Sequence, residues 1–422
     1  MQPPSRVVIV GGSLTGLLHG LYLKRHGSTV TILEQDPKST RSSHNAGICF
    51  GPAAQEILDK YDDTGLQTSI PSVGTRFAFR KSEESFKLNI LRNNTSWGLM
   101  YRILRANFDG LASDAVPVPP PARKGDGKAE YLSGSRVTKL QHNKGEDHGA
   151  MTVWYVDGDG KTDSIVADLV IGADGLHSTV RNLVHTPAAR KEYSGYVAWR
   201  GTVPENEVSP QVAAYFEQRM TLNLLSRSYI VIYIIPRDSG SFEAGSRLIN
   251  WVWYQNMSDP SPELTEVLTD IDGRTHSNTV PAGLVRPEVW KQHLAARVDQ
   301  MSAPVSNLIS STERVFVTKV NDALCDQAVF CDGKVVLVGD ALSTFRPHLA
   351  VATEQGAKHC LGLGRVWNGE ISLQEWEKEA MAHGTKTWSV SRVLGTWFIR
   401  GWAEFFRVLG AHLVALVRMK SK

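Results

Sequence analysis

Cysteine is scarce in this chain of 422 residues, which has four: Cys49, Cys325, Cys331 and Cys360. None stands at metal-ligand spacing with a companion histidine, so no metal site is expected and a reducing, cytoplasmic compartment fits best. Charge of one sign is not in excess either; the net charge is +3, and nothing in that balance demands nucleic acid. Long apolar runs are missing. The most apolar late stretch, Trp388 to Arg418, carries Trp397, Phe398, Trp402, Phe405, Phe406, Leu413 and Leu416, but Arg400, Glu404 and Arg407 interrupt it. It reads as a helical tail that packs on the body or on a second copy in a homodimer, rather than as a membrane span or a membrane-surface helix. Met1 to Ser5 lead almost directly into the first strand, so no secretory leader is expected. Repeats and long low-complexity tracts are absent. With 42% hydrophobic and 21% charged residues, what is left is an ordinary globular chain large enough for two or more lobes.

The strongest signal lies between Arg6 and Glu34. Val7 to Val10 form a β-branched run suited to a buried parallel strand, and Leu14, Leu17, Leu18 and Leu21 then recur at helical spacing. The period changes at Gly11-Gly12-Ser13-Leu14-Thr15-Gly16. Gly11 permits the sharp turn, Gly16 lets helix and strand approach, and the helix N-terminus at Leu14 offers free N–H groups to a pyrophosphate. Thr29 to Leu33 make a second strand, after which Glu34 can accept hydrogen bonds from ribose hydroxyls. Ser13 stands where the second glycine of such a dinucleotide fingerprint usually sits; its hydroxyl can still occupy the turn and donate.

Two further strands end in glycine and aspartate. Leu169 to Ile171 deliver Gly172-Ala173-Asp174-Gly175, followed by Ser178 and Arg181; Val335 to Val338 deliver Gly339-Asp340-Ala341, followed by Arg346-Pro347-His348. The carboxyl ends of strands are where open α/β sheets place their ligands, although a Gly-Asp pair can also be a plain capped turn.

The three motifs in this order resemble those of the single-component FAD-dependent monooxygenases of the aromatic-hydroxylase type. Within that family, the 2,6-dihydroxypyridine-hydroxylase-like group is similar in Thr95-Ser96-Trp97 leading to Leu104-Arg105, in Tyr196-Val197-Ala198-Trp199-Arg200-Gly201, in Asn250-Trp251-Val252-Trp253-Tyr254 and in Arg346-Pro347-His348. The resemblance implies FAD as cofactor, NADPH or NADH as a transient co-substrate, O2, and a small aromatic or heteroaromatic substrate that is hydroxylated, or epoxidised, through a flavin C4a-hydroperoxide. It implies that Asp340 accepts from the FAD ribityl chain and that Asp174 and Arg181 lie by the pyrophosphate. Arg41 and Arg105 would belong to the FAD contacts, Arg41 being otherwise an exposed loop arginine. Pro347 and His348 would lie at the flavin edge, with His348 either a base for a substrate hydroxyl or a loop-fixing residue. Ala350 and Ala352 replace glycines that usually line the flavin ring, Glu354 replaces an asparagine, and Ser343 replaces a histidine. A carboxylate at Glu354 is expected to oppose an anionic reduced flavin.

The implied fold is α/β: a Rossmann-like FAD-binding lobe (1–74, 96–190 and 315–385), an inserted β-sheet substrate lobe (75–95 and 191–314), and a C-terminal helical segment (386–422). Runs of aromatic and β-branched residues argue the inserted sheet, and Trp199, Tyr229, Tyr233, Trp251 and Trp253 are candidates for its pocket as well as for its core. Residues 107–149 are expected to be an exposed connection and a hairpin. Two other readings stay open. A flavin-dependent halogenase would want Ile-Pro after its tryptophan pair, where this chain has Tyr254-Gln255-Asn256, and a non-catalytic FAD- or small-molecule-binding protein fits Ser13, Ser343 and Glu354.

Overall fold

The computed structural model describes residues 2–38, 46–145, 149–185, 190–401 and 404–410. Arg41, Trp402 and the end of the tail, with Leu413, Leu416 and Arg418, lie outside the described residues.

Strands Val335–Leu337, Leu169–Gly172, Arg6–Val10, Thr29–Glu34 and Ala129–Ser133 lie side by side and parallel, with Val329–Phe330 as an antiparallel edge. Val8, Ile9, Val30, Ile32, Val170 and Ile171 are buried, as befits strands covered on both faces. Helices Leu14–Arg25, Trp97–Asp109 and Ala352–Trp367 pack together beside this sheet. Ala129–Ser133 falls in the stretch expected to be a connection. Its alternation is interrupted by Glu130, and only pairing with Thr29–Glu34 makes it a strand. A hairpin forms just after it, Arg136–His142 with Met151–Val156, and its second strand lies beyond the stretch in which a hairpin was expected.

The second sheet has nine strands. Its order is Thr279–Val280, Phe316–Leu324, Arg190–Pro204, Leu248–Asn256, Ser228–Ile235, Met220–Leu225, Thr75–Phe79 and Phe86–Leu88, with Ser343–Thr344 alongside Phe316–Leu324. Three segments depart from the expected partition, one of them Ser343–Thr344, which falls in the stretch given to the FAD-binding lobe and pairs with Phe316–Leu324. Phe316–Leu324, placed in the FAD-binding lobe, is an inner strand here, because its backbone pairs with Arg190–Pro204. Arg92–Ser96 pairs instead with Gly47–Phe50 and Ile70–Ser72.

Strand alternation sorts the aromatic residues. Trp199 sits opposite Trp253 and both point to one face with Trp251, where Trp290 of helix Pro287–Ala295 packs at 5.3–6.0 Å from the three rings. Their indole N–H groups donate to Gln255, Thr312 and Ser228. These tryptophans are core, which corrects their candidacy as pocket residues. Tyr196, Tyr229, Tyr233 and Tyr254 occupy the opposite face, which looks toward the glycine loops of the parallel sheet.

Helix Leu373–Gly395 starts with a capping box between Ser372 and Glu375 and gives way to a π turn at Thr396–Arg400, which lies over the tyrosine face with Phe398 5.2 Å from Tyr229. No helix of the described residues is long and apolar enough to cross a membrane.

Candidate active site

The N-terminal turn is shaped by contacts that tolerate no side chain. Gly11 has φ +101°, and a β-carbon on Gly16 would lie 2.0 Å from the Gly11 carbonyl oxygen. Helix Leu14–Arg25 therefore starts directly beneath the first strand, and Ser13, its N-cap residue, makes no capping hydrogen bond, so its hydroxyl stays available. Glu34 accepts from the backbone N–H of Gly12 at 2.9 Å and of Asp36 at 2.9 Å, which orients the carboxylate across the mouth of the turn. Gly11, Ser13, Glu34, Arg136, Asp174 and His177 are among the residues lining a cleft of about 320 Å³.

Arg105 stands one layer behind. Its guanidinium lies 3.5 Å from the Tyr131 ring centroid and donates to Asp109 at 2.7 and 2.9 Å, while the Tyr131 hydroxyl donates to the Gly12 carbonyl at 3.0 Å. It steadies the turn through Tyr131, a residue the sequence did not single out.

The two aspartates behave differently. Asp174 accepts from the Ser178 hydroxyl and from the N–H groups of Thr179 and Val180, at 2.5, 2.6 and 3.0 Å, so it caps the short helix Thr179–Val184. Burial raises its carboxyl above the usual range, with those hydrogen bonds opposing. Arg181, expected at the pyrophosphate, donates instead to the carbonyls of Ala341 and Leu176 at 2.7 and 2.6 Å. It ties the loop of Asp174 to the loop of Asp340 and is absent from the cleft lining. Asp340 has no such partners. Its Oδ1 is shielded from solvent and accepts no hydrogen bond, and burial lifts its carboxyl to about 6.

Around Asp340 the three motifs meet. Gly339 N–H donates to His359 Nδ1 at 3.0 Å, and the Thr15 side chain fits between Gly339 and Gly356, where β-carbons would come within 2.8 and 2.5 Å of it. A polyol with an adjacent diphosphate fits this arrangement: free N–H groups at Leu14–Gly16, ribose acceptors at Glu34, and a carboxylate at Asp340 lacking a donor. FAD has that chemistry.

The loop after Asp340 answers the departures from the family pattern. Glu354 does not face a flavin; its carboxylate accepts from the N–H groups of Gly51, Ala53 and Ala54 at 3.1, 3.1 and 3.2 Å, capping helix Pro52–Tyr61. That corrects the expected clash with a reduced ring. Ser343 is engaged by Gln355 through two hydrogen bonds, and Ala352 opens helix Ala352–Trp367. Ala350 takes φ 53°, a left-handed conformation that glycine adopts without strain. Arg346 donates to Asp322 at 2.6 Å, and Asp322, fully buried, also accepts from Trp388 and Arg392 of the long C-terminal helix.

Pro347 opens a short turn that delivers His348 among tyrosines. The Tyr196 hydroxyl lies 2.5 Å from His348 Nε2, and the Tyr229 hydroxyl hydrogen-bonds Nδ1. The Tyr254 ring closes the cage, and a β-carbon on Gly395 would lie 2.5 Å from Nε2, so only glycine lets the C-terminal helix shut it. Burial, with the nearby Arg346 charge, lowers His348 to about 3, and burial raises Tyr196 to about 12. The imidazole is therefore neutral, with one nitrogen donating and the other accepting. Of the two roles the sequence leaves open, base and loop-fixing residue, its hydrogen bonds to Tyr196 and Tyr229 supply the second, and the residue stays partly exposed.

Arg200 belongs to the motif Tyr196–Gly201. It lies on the tyrosine face near Tyr233 and Tyr254, makes no ion pair among the described residues, and its shielded Nε has no acceptor. Elsewhere folding brings His185, Cys325 and Asp326 within 4.8 Å, a grouping the spacing of the cysteines did not reveal. His185 is paired to Asp326 there, and burial keeps the Cys325 thiol protonated.

Comparison with known proteins agrees with this geometry. A family model described as FAD binding domain-like matches residues 193–322, most of the nine-stranded sheet and its helices. The chain is 28% identical to a 2,6-dihydroxypyridine 3-monooxygenase of Paenarthrobacter nicotinovorans, over 91% of this chain and 89% of the relative. It is 24% identical to a 6-hydroxynicotinate 3-monooxygenase of Pseudomonas fluorescens, over 93% and 91% of the two chains. The solved structure of 2,6-dihydroxypyridine-3-hydroxylase from Arthrobacter nicotinovorans superposes with a TM-score of 0.78 at 27% identity, covering 95% of each chain. A salicylate hydroxylase shares the fold, with a TM-score of 0.65 at 18% identity over 99% and 95% of the chains.

Proposed function

We infer that this chain is a single-component FAD-dependent monooxygenase of the aromatic-hydroxylase type, the group it resembles over 91% of its length. It uses NADH or NADPH and O2 to hydroxylate an electron-rich aromatic or heteroaromatic molecule. The observation that carries this reading is Asp340: a shielded carboxylate oxygen without a donor, at the point where three strand-end loops meet. The relatives are hydroxylases, so a halogenase reading is not favoured. Four free cysteines support a cytoplasmic setting.

Bound FAD supplies the activation of dioxygen; the chain's residues bind, orient and move protons. Gly11, Ser13, Leu14 and Gly16 would hold the diphosphate, Glu34 the ribose, and Asp340 a ribityl hydroxyl. Ala350 and Pro347 would border the ring. The tyrosine face would take the substrate, with Arg200 pairing with an ionised ring hydroxyl or carboxylate. Substrate rings with such a group are activated as the hydroxyl loses its proton. His348 would relay that proton without storing it: the substrate hydroxyl gives its proton to one tyrosine as that tyrosine gives its own to one ring nitrogen, the other nitrogen passes its proton to the second tyrosine, whose hydroxyl proton leaves to solvent, and the imidazole changes tautomer but not charge. Gly395 and the turn at Thr396–Arg400 cover this cage and leave His348 partly exposed.

The test is spectroscopic and kinetic. Purified protein should carry flavin absorbance, and hydroxylated pyridines and phenols should accelerate NAD(P)H oxidation and yield a product heavier by one oxygen atom. No acceleration by any of a panel would favour the binding-only alternative, and acceleration without any oxygenated product would overturn the hydroxylase reading. Tyr229→Phe should flatten the pH dependence of turnover while leaving flavin content unchanged.

A further inference from the structure

One row of the nine-stranded sheet runs outward from the His348 cage. Tyr254 pairs with Tyr229, Tyr229 with Leu224, and Leu224 with Phe79, so these side chains share one face from the cage to the edge hairpin. At the outer end they open into a groove of about 940 Å³, lined by Phe77, Phe79, Phe86, Leu224, Phe398 and Phe405 together with arginines. Phe77 and Phe86 stack at 4.4 Å, and Phe79 is 49% exposed. Phe398 divides groove from cage, since it lines the one and touches Tyr229 of the other.

The rim is cationic. Arg80, Arg227 and Arg400 line the groove and no acidic residue does. None of the three is ion-paired among the described residues; Arg400 donates to Asn256 and the Gly195 carbonyl, Arg227 donates to the Arg400 carbonyl, and Arg80 makes no side-chain hydrogen bond. Of the carboxylates in flanking segments, Glu84 and Glu404 are engaged by Lys87 and Arg407, and Glu83 is not among the groove-lining residues. Arg80 and Arg227 also hold φ of 48° and 53°, left-handed conformations costly for a side-chain-bearing residue. Glycine would relieve that strain, yet arginine stands at both positions beside the same apolar surface. Strain kept at such a place points to a ligand.

We propose that this groove binds an anionic amphiphile, an alkyl or aromatic body lying on Phe77, Phe79 and Leu224 with its carboxylate held by Arg80 and Arg227. The site lies on the same sheet face as the tyrosine cage, on the far side of Phe398, and its occupation requires nothing of the reaction. Charge-assisted hydrogen bonds to the carboxylate would be strong at this partly dry rim.

The experiment is calorimetric titration of the full-length holoprotein with decanoate below its micellar range, against decanol as the uncharged control. One saturable site is expected, with decanol and the Phe79→Ser variant each weaker by about tenfold. Arg80→Gly and Arg227→Gly should each weaken decanoate by about fivefold while keeping flavin content and thermal stability, because glycine suits both backbone conformations. Equal binding of decanol and decanoate, or unchanged affinity in both glycine variants, would overturn the proposal. So would binding of the protein to vesicles of phosphatidylcholine and phosphatidylglycerol without any saturation by decanoate, which would make the face a membrane contact. Concentration-dependent dimerisation abolished by Phe79→Ser, again without decanoate binding, would make it an interface between copies.

Discussion

Two strand-end loops, Gly172–Gly175 and Gly339–Ala341, look alike in sequence and differ in what their aspartates touch. Asp174 is satisfied by Ser178, Thr179 and Val180, whereas Asp340 Oδ1 is shielded and has no donor. A carboxylate with its hydrogen bonds made inside the chain belongs to the fold. One held out of water without them is destabilising to the empty protein and persists where a ligand supplies the donor. The same distinction reassigns Glu354, which resembled a flaw in the flavin site and is a helix cap.

The contrast can be broken by mutation. Asp174→Ala strands backbone donors and should cost about 3 kcal/mol in chemical denaturation of the apoprotein, with the residual flavin affinity changing less than the stability. Asp340→Ala should do the reverse, lowering flavin affinity by about tenfold or more in equilibrium dialysis while leaving apoprotein stability equal or higher. If both variants lose stability alike, the distinction between the loops is wrong.

Acidity sharpens it further. The Asp340 carboxyl titrates at about 6 in the fold, above its unfolded value near 4. Between these values the folded apoprotein binds the extra proton, so the contribution is complete below the lower value and is lost as pH rises through the upper one. Apoprotein melting temperature should therefore carry a downward component over pH 4 to 6 that Asp340→Asn removes; an identical pH profile in the variant would contradict a raised carboxyl at Asp340. At the small end, Glu354→Gln should cost about 1 kcal/mol, since an amide oxygen accepts more weakly than a carboxylate, and Ala350→Gly should gain about 1 kcal/mol by relieving the left-handed backbone. Thermal denaturation of the two apoproteins reads both.

Much of the parallel lobe was legible because its evidence is local. The β-branched runs at Val7–Val10 and Leu169–Ile171 and the glycines at Gly11 and Gly16 state their geometry within a few residues. The site was legible as motifs and illegible as contacts. Arg181 looked like a pyrophosphate ligand and holds two carbonyls; His348 read equally as a base or a loop-fixing residue and is clasped by Tyr196 and Tyr229, residues 152 and 119 positions away. Tyr131 belonged to no motif and Thr15 stood in one without a role, since each matters through a partner distant in the chain.

By itself the sequence determined the parallel sheet, the glycine turns and the alternation that separates tryptophans from tyrosines, because backbone conformation and side-chain period are set by near neighbours. Only the tertiary structure decided which carboxylate is satisfied, which arginine is committed and which face meets the cofactor loops. Those outcomes depend on whether a donor from another segment arrives within hydrogen-bonding distance, and on how much water the packing leaves behind.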